Sequence, residues 1–165
     1  MTHKQRVISN IESLSSLTES ALTKISGNIL TIGARKMNEL LGNSAYTSYV
    51  DLQNDITITT EIEKDTWNYE LATTSERQLK DLEMAEAYCA LYYVALALKK
   101  IDMDTVMTQI ETWGEGSIKP TDILRVVEFA DKYLIEAKVI VTPYRASGEE
   151  VEGILTTGGV GFIAI

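Results

Sequence analysis

Ser75-Glu76-Arg77-Gln78 begins the stretch that decides the fold, and Ala87-Tyr88-Cys89-Ala90-Leu91-Tyr92-Tyr93-Val94-Ala95-Leu96-Ala97-Leu98 fills its second half before Lys99-Lys100. Ser75 with Gln78 three residues later reads as a capping box, which predicts a helix start there. Two lysines at the far end suit the negative end of a helix dipole. The first half is amphipathic, with Leu79, Leu82, Met84 and Ala85 set against Glu76, Arg77, Lys80, Asp81 and Glu83. The second half is apolar on every side, so it must be covered on every side. It falls short of the roughly 20 residues that cross a bilayer, so protein is its expected cover. The expectation is a central helix wrapped by its own partners and by sister copies around a common axis.

Working toward the amino terminus, residues 4–41 place Val7, Ile8, Ile11, Leu14, Leu17, Ala21, Leu22, Ile25, Ile29 and Ile32 at three- and four-residue spacing. This predicts a helical arm in two segments, with a break near Ser26–Asn28 and a stop at Gly42-Asn43. Its polar face is dense in Ser and Thr, which are mediocre helix formers, so packing must order it. In residues 43–74, Ile56, Ile58 and Ile62 alternate with Thr57, Thr59, Glu61 and Glu63. That period of two, rich in β-branched residues, predicts an extended β arm. The rings of Trp67 and Tyr69 need a surface to cover them.

Toward the carboxyl terminus, Asp104–Trp113 reads as a short amphipathic piece broken by Gly114-Glu115-Gly116-Ser117. Lys119-Pro120-Thr121-Asp122 opens a helix over 121–138. Its apolar face is Ile123, Val126, Val127, Ala130, Tyr133, Leu134 and Ala137, which should lie on the central helix. The tail reads as a β-hairpin around Thr156-Thr157-Gly158-Gly159, ending on the apolar run Val160-Gly161-Phe162-Ile163-Ala164-Ile165. Such a strand edge invites pairing with another chain. The fold class expected is mainly α: one domain over 1–165, a small helical bundle around an apolar helix (75–140), with an N-terminal helical arm (1–42), an extended β arm (43–74) and a C-terminal hairpin arm (141–165).

With 165 residues the chain can bury a substantial core, and its net charge of −9 argues against a surface that grips nucleic acid through phosphates. The acidic surface is ordinarily a matter of solubility, and it also suits a wall that DNA slides past. One cysteine permits no internal disulfide and suggests a reducing compartment, while secretion and membrane anchoring find no support. Cys89 lies among apolar neighbours and reads as a buried structural thiol. His3, the only histidine, is expected exposed at a frayed end, which leaves no catalytic triad. Glu83 and Glu86 stand three apart on the helix as metal-binding carboxylates do, but without the Glu-x-x-His companion they read as a solvated face. Asp102-Met103-Asp104 lacks the features of a calcium loop, and the glycines at 158–161 open no helix that would hold a phosphate. No catalytic residue, cofactor or metal site is expected.

The helix Glu76-Arg77-Gln78-Leu79-Lys80-Asp81-Leu82-Glu83-Met84-Ala85-Glu86-Ala87-Tyr88-Cys89-Ala90-Leu91-Tyr92-Tyr93, followed by Trp113-Gly114 and an amphipathic helix ending Glu136-Ala137, resembles the head–tail connector (neck adaptor) proteins of tailed bacteriophages. The likeness spans roughly residues 70–140. It implies a non-enzymatic structural subunit of the virion neck, assembled in the host cytoplasm as a homo-oligomeric ring, typically a dodecamer. Portal and tail or neck proteins would be its partners, and DNA would pass without sequence-specific binding. The expected interface residues are Tyr88, Tyr92, Tyr93, Ile56, Ile58, Trp67, Val160, Phe162, Ile163 and Ile165. The alternative is a small acidic helical interaction or regulatory module that binds one protein partner.

Overall fold

A computed structural model of the chain describes residues 1–102, 104–105, 108, 119–145, 157–158 and 161–162. Its longest element is the helix expected from the apolar run, Thr74–Lys99. The start lies two residues earlier than expected. Thr73 is the N-cap: its side chain accepts from the Glu76 backbone N–H, and the Glu76 carboxylate accepts from the N–H of Thr73, a reciprocal capping box.

Around it, in chain order, stand α1 (His3–Ser15), α2 (Glu19–Ile25), α3 (Ile29–Leu41), α4 (Asn43–Gln53) and α5 (Ile56–Ile62), with the central helix as α6. Then come α7 (Pro120–Glu128) and α8 (Ala130–Val141). Short 3₁₀ turns at Tyr69–Leu71 and Thr142–Tyr144 adjoin α6 and α8. The mainly helical class expected from the sequence is what the chain adopts.

The N-terminal arm has three helices where two were expected. The break at 26–28 stands where the glycine and asparagine put it. A second break falls at Ser16, the one non-glycine described with positive φ (64°). There the Ser15 hydroxyl donates to the Ile11 carbonyl at 2.6 Å and accepts from the Leu17 N–H, taking backbone groups out of the helix ladder. Thr18 then caps α2. Gly42 (φ 86°) ends α3 as expected, but α4 starts directly behind it.

The extended β arm is a correction. Residues 56–62 form a helix because Asp55 caps it, its Oδ1 accepting from the N–H groups of Thr57 and Ile58. The spacing that counts is Ile58 to Ile62, one helical turn: both pack in the core while Ile56 is exposed. Three isoleucines supplied a period of two by coincidence, and tertiary packing overrode their strand preference. The expected single helix over 121–138 is likewise two, parted by an irregular turn at Phe129.

α6 packs chiefly against α8, α3 and α1, with α7 next. One core cluster joins its second half (Ala87, Ala90, Leu91, Val94, Ala95) to Val7 and Ile11 of α1, Ile29 of α3, Ile123 and Val126 of α7, and Tyr133 of α8. The other joins its first half (Leu79, Leu82, Ala85) and Cys89 to Met37 and Leu41 of α3, Tyr49 of α4, Ile62 of α5, and Ala137 and Val141 of α8. Ala87, Cys89, Ala90, Leu91, Val94 and Ala95 are fully buried by their own chain. One protomer thus covers that side of the run, while Tyr88, Tyr92, Tyr93, Leu96 and Ala97 stay half-buried.

Of the hairpin expected at 149–165, only Thr157–Gly158 paired antiparallel with Gly161–Phe162 is described. The rest of that arm, and most of Asp104–Trp113, lies outside the described residues.

Candidate functional site

α1 runs beside the first half of α6, and its first two turns bring His3 and Arg6 onto Glu83 and Glu86. Both glutamates are buried, at 2% and 4% exposure. The His3 imidazole fits between them: Nδ1 lies 2.7 Å from Glu83 Oε2, and Nε2 lies 3.2 Å from both Glu86 oxygens. Arg6 Nε donates to both oxygens of Glu83 at 2.9 and 3.0 Å, and Nη1 donates to Glu63 Oε2 at 2.9 Å and to the Met1 carbonyl at 3.1 Å. The Met1 amino group donates to Glu63 Oε1 at 2.8 Å. The fully buried Tyr49 donates its hydroxyl to Glu86 Oε1 at 2.9 Å and meets the His3 ring edge-on.

Three cations thus face three carboxylates, and the balance holds only while His3 is charged. Burial pulls the imidazole pKa down, but the hydrogen bonds from Glu83 and Glu86 and their charges outweigh it and lift it from 6.5 to about 9. Burial, then the charges of Glu86 and Glu83, push the Tyr49 phenol well above its ordinary value. The amino-terminal donor, opposed by some desolvation, helps hold Glu63 below the usual carboxylate range.

Two sequence expectations are corrected here. His3 is not an exposed end residue, and Glu83 and Glu86 are not a solvated face. The histidine, 80 residues from Glu83 in sequence, closes on them in space, because α1 folds back along α6. Its nitrogens face carboxylate oxygens at hydrogen-bond distance, so the trio reads as an ion network. Among the described residues no group of His, Cys, Asp and Glu has the arrangement to hold a metal ion.

Of the residues expected at an interface, Ile58, Trp67 and Tyr88 pack against one core cluster of the protomer, and Tyr88, Tyr92 and Tyr93 against the other. Tyr88 packs its ring on Tyr133 within the protomer, and burial raises its pKa. Tyr92 and Tyr93, both in the second half of α6, meet edge-on with ring centres 5.1 Å apart. Trp67 turns inward and donates Nε1 to Glu76 Oε1 at 3.2 Å, with Lys80 Nζ 5.2 Å from its ring centre. Ile58 is partly buried and Ile56 exposed. Val160, Ile163 and Ile165 lie outside the described residues, and of Phe162 only the backbone is described.

Exposed apolar side chains lie elsewhere. Leu124 and Phe129, with Ile135 at 58% and Val139 at 62% exposure, stand out from α7 and α8 on the side away from the core. Lys132 Nζ covers the Phe129 ring at 5.5 Å. The signal was present in the sequence as apolar residues on what was otherwise the charged side of the helix. No helix among the described residues is long and apolar enough to cross a membrane.

Comparison of the chain with protein-family models, with curated proteins and with solved structures gives no match.

Proposed function

We propose that this chain is a non-enzymatic adaptor whose task is to dock onto other protein subunits, with the neck of a tailed phage, between portal and tail, as its setting. The observation that carries the reading is the exposure of four apolar side chains along one segment, Leu124, Phe129, Ile135 and Val139, apart from the exposed Ile56 and Leu71 elsewhere. Grouped exposed apolar side chains of this size mark contact surfaces more often than scattered ones do. The row belongs to the same α7–α8 segment that carries the connector resemblance. In this reading the next copy in a ring packs on that row, and the acidic surface (net charge −9) leaves passing DNA unheld. The fully buried side of α6 is covered by its own chain, which leaves ring contacts to α7 and α8 and to the half-buried Tyr92, Tyr93, Leu96 and Ala97 of α6.

A second reading, a monomeric acidic module binding one protein partner, is favoured by that same self-sealed core. Light scattering and electron microscopy of the protein alone and mixed with portal-containing fractions separate the two. The connector reading expects rings on or with portal, lost in a double Ile135→Glu, Val139→Glu variant whose circular dichroism is unchanged. A wild-type protein that stays monomeric with portal present, or a variant that still assembles, overturns it.

A further inference from the structure

A cavity of about 270 Å³ opens between α1, the end of α5 and the first half of α6. It is much larger than the roughly 30 Å³ that one water occupies in the liquid. Glu63 and Glu83 lie in its wall, but both are already engaged. Glu83 accepts from Arg6 Nε and from His3, and Glu63 accepts from Arg6 Nη1 and the Met1 amino group. Two cations in the same wall still have donors to give. Arg6 is 8% exposed, and its Nη2, itself closed to solvent, has no hydrogen-bond partner among the described residues although Nε and Nη1 are fully used. Lys80 has no ion pair among the described residues; its ammonium rests on the Trp67 ring. Ser9 and Asn10 add a hydroxyl and an amide, and Ile62 and Met84 add apolar surface.

A buried guanidinium nitrogen without an acceptor costs free energy that a ligand oxygen would recover. The donors left over select an acceptor, not a metal. We propose that this cavity binds a carboxylate carried on a short apolar stem, one oxygen toward the Arg6 guanidinium and the other toward Lys80, with the stem against Ile62 and Met84. A singly charged carboxylate is preferred over a phosphate dianion, because two engaged carboxylates already stand in the wall and repel added charge. Arg–carboxylate pairing supplies the directionality and the charge-assisted bond strength. The site is independent of the docking face on α7 and α8.

The test is a thermal-unfolding titration of the full chain with sodium propionate against sodium chloride at equal ionic strength, with inorganic phosphate as a second series. Propionate is expected to raise the midpoint saturably, and chloride is not. Lys80→Ala should weaken the apparent affinity about tenfold, the loss of one charge-assisted bond. Ser9→Tyr, at an exposed position of the wall, should fill the mouth and abolish the effect. Arg6 itself is left intact, since it also holds Glu63 and Glu83. A third series with an N-acetylated, C-amidated tripeptide bearing one central Glu identifies the source: a stronger response than propionate assigns a protein side chain, a weaker one a free acid. No saturable propionate response in the wild type overturns the proposal. So does a response that both variants keep, or a stronger response to phosphate.

Discussion

Nδ1 of His3 stands 2.7 Å from Oε2 of Glu83, which ties the first turn of α1 to the middle of α6 across 80 residues of chain. The bond is worth most when the imidazole is charged, and its folded pKa of about 9 lies above the ordinary 6.5. A group whose pKa rises on folding stabilises fully below its unfolded value and loses that contribution as pH climbs through the folded one. The advantage of wild type over His3→Gln should therefore be largest below about pH 6.5, up to about 3 kcal/mol. It should fade between pH 6.5 and 9 and be gone above that. Urea unfolding of both proteins across that range checks it, and a pH-independent difference would contradict the network.

Glu83 and Glu86 should differ in weight. Glu83 faces both Arg6 and His3, whereas Glu86 faces His3 and the neutral Tyr49 hydroxyl. Removing one member of a buried pair leaves its partner's charge uncompensated, at a cost of about 3–5 kcal/mol. Glu83→Gln is expected in that range, and Glu86→Gln nearer 1–3 kcal/mol. In Glu86→Gln the His3 pKa should also fall toward its ordinary value, read by NMR titration of the imidazole. Equal losses for the two variants would contradict this assignment.

The central helix, the break at 26–28, the stop at Gly42 and the inward face of Ile123, Val126, Ala130, Tyr133 and Ala137 were all legible, because periodicity and glycine are local signals. α5 was not: Ile56, Ile58 and Ile62 fit both a period of two and one helical turn, and only the Asp55 cap decides between them. α4 was also missed, although Tyr46, Tyr49 and Leu52 stand at three-residue spacing behind Gly42. The His3 network was out of reach for a different reason. It joins residues 37 to 83 apart, and nothing local in Met-Thr-His-Lys-Gln-Arg says which glutamates α1 will meet. Only the paired glutamates three apart on α6 offered a hint, and without a nearby histidine in sequence it read as a wet helix face.

Gly33 of α3 crosses α6 where Ala90 faces it. A methyl group added there would sit 3.2 Å from the Ala90 Cβ and 3.3 Å from its Cα and N, and helix backbone cannot move aside cheaply. Alanine is the better helix former by up to about 1 kcal/mol, but overpacking costs about 1–3 kcal/mol. Gly33→Ala should thus be destabilising by about 1 kcal/mol, seen as a lower urea midpoint at unchanged slope. A stabilised variant would mean that the two helices can part at this crossing.

Thr73, not Ser75, holds the start of α6. Thr73→Ala should cost about 1 kcal/mol because the Glu76 N–H loses its acceptor, while Ser75→Ala, already inside the helix, should change stability by at most a few tenths. Chemical denaturation of the two variants decides between the caps.

Cys89 reports on whether one protomer seals the central helix. Its side chain is fully buried, and burial first, then the Glu86 charge, pushes the thiol up to about 12. Near pH 8 only about one molecule in ten thousand carries the thiolate, and no reagent reaches it without opening of the core. Labelling with a thiol reagent should be slow in native buffer, fast in urea, and unchanged when the protein is diluted a hundredfold. Dilution matters because a core sealed by neighbouring copies would open as they dissociate and expose the thiol, whereas α1, α3 and α8 belong to the same chain and cannot be diluted away. Labelling that accelerates on dilution would return the central helix to the subunit interface and take the docking role away from the Ile135 and Val139 face.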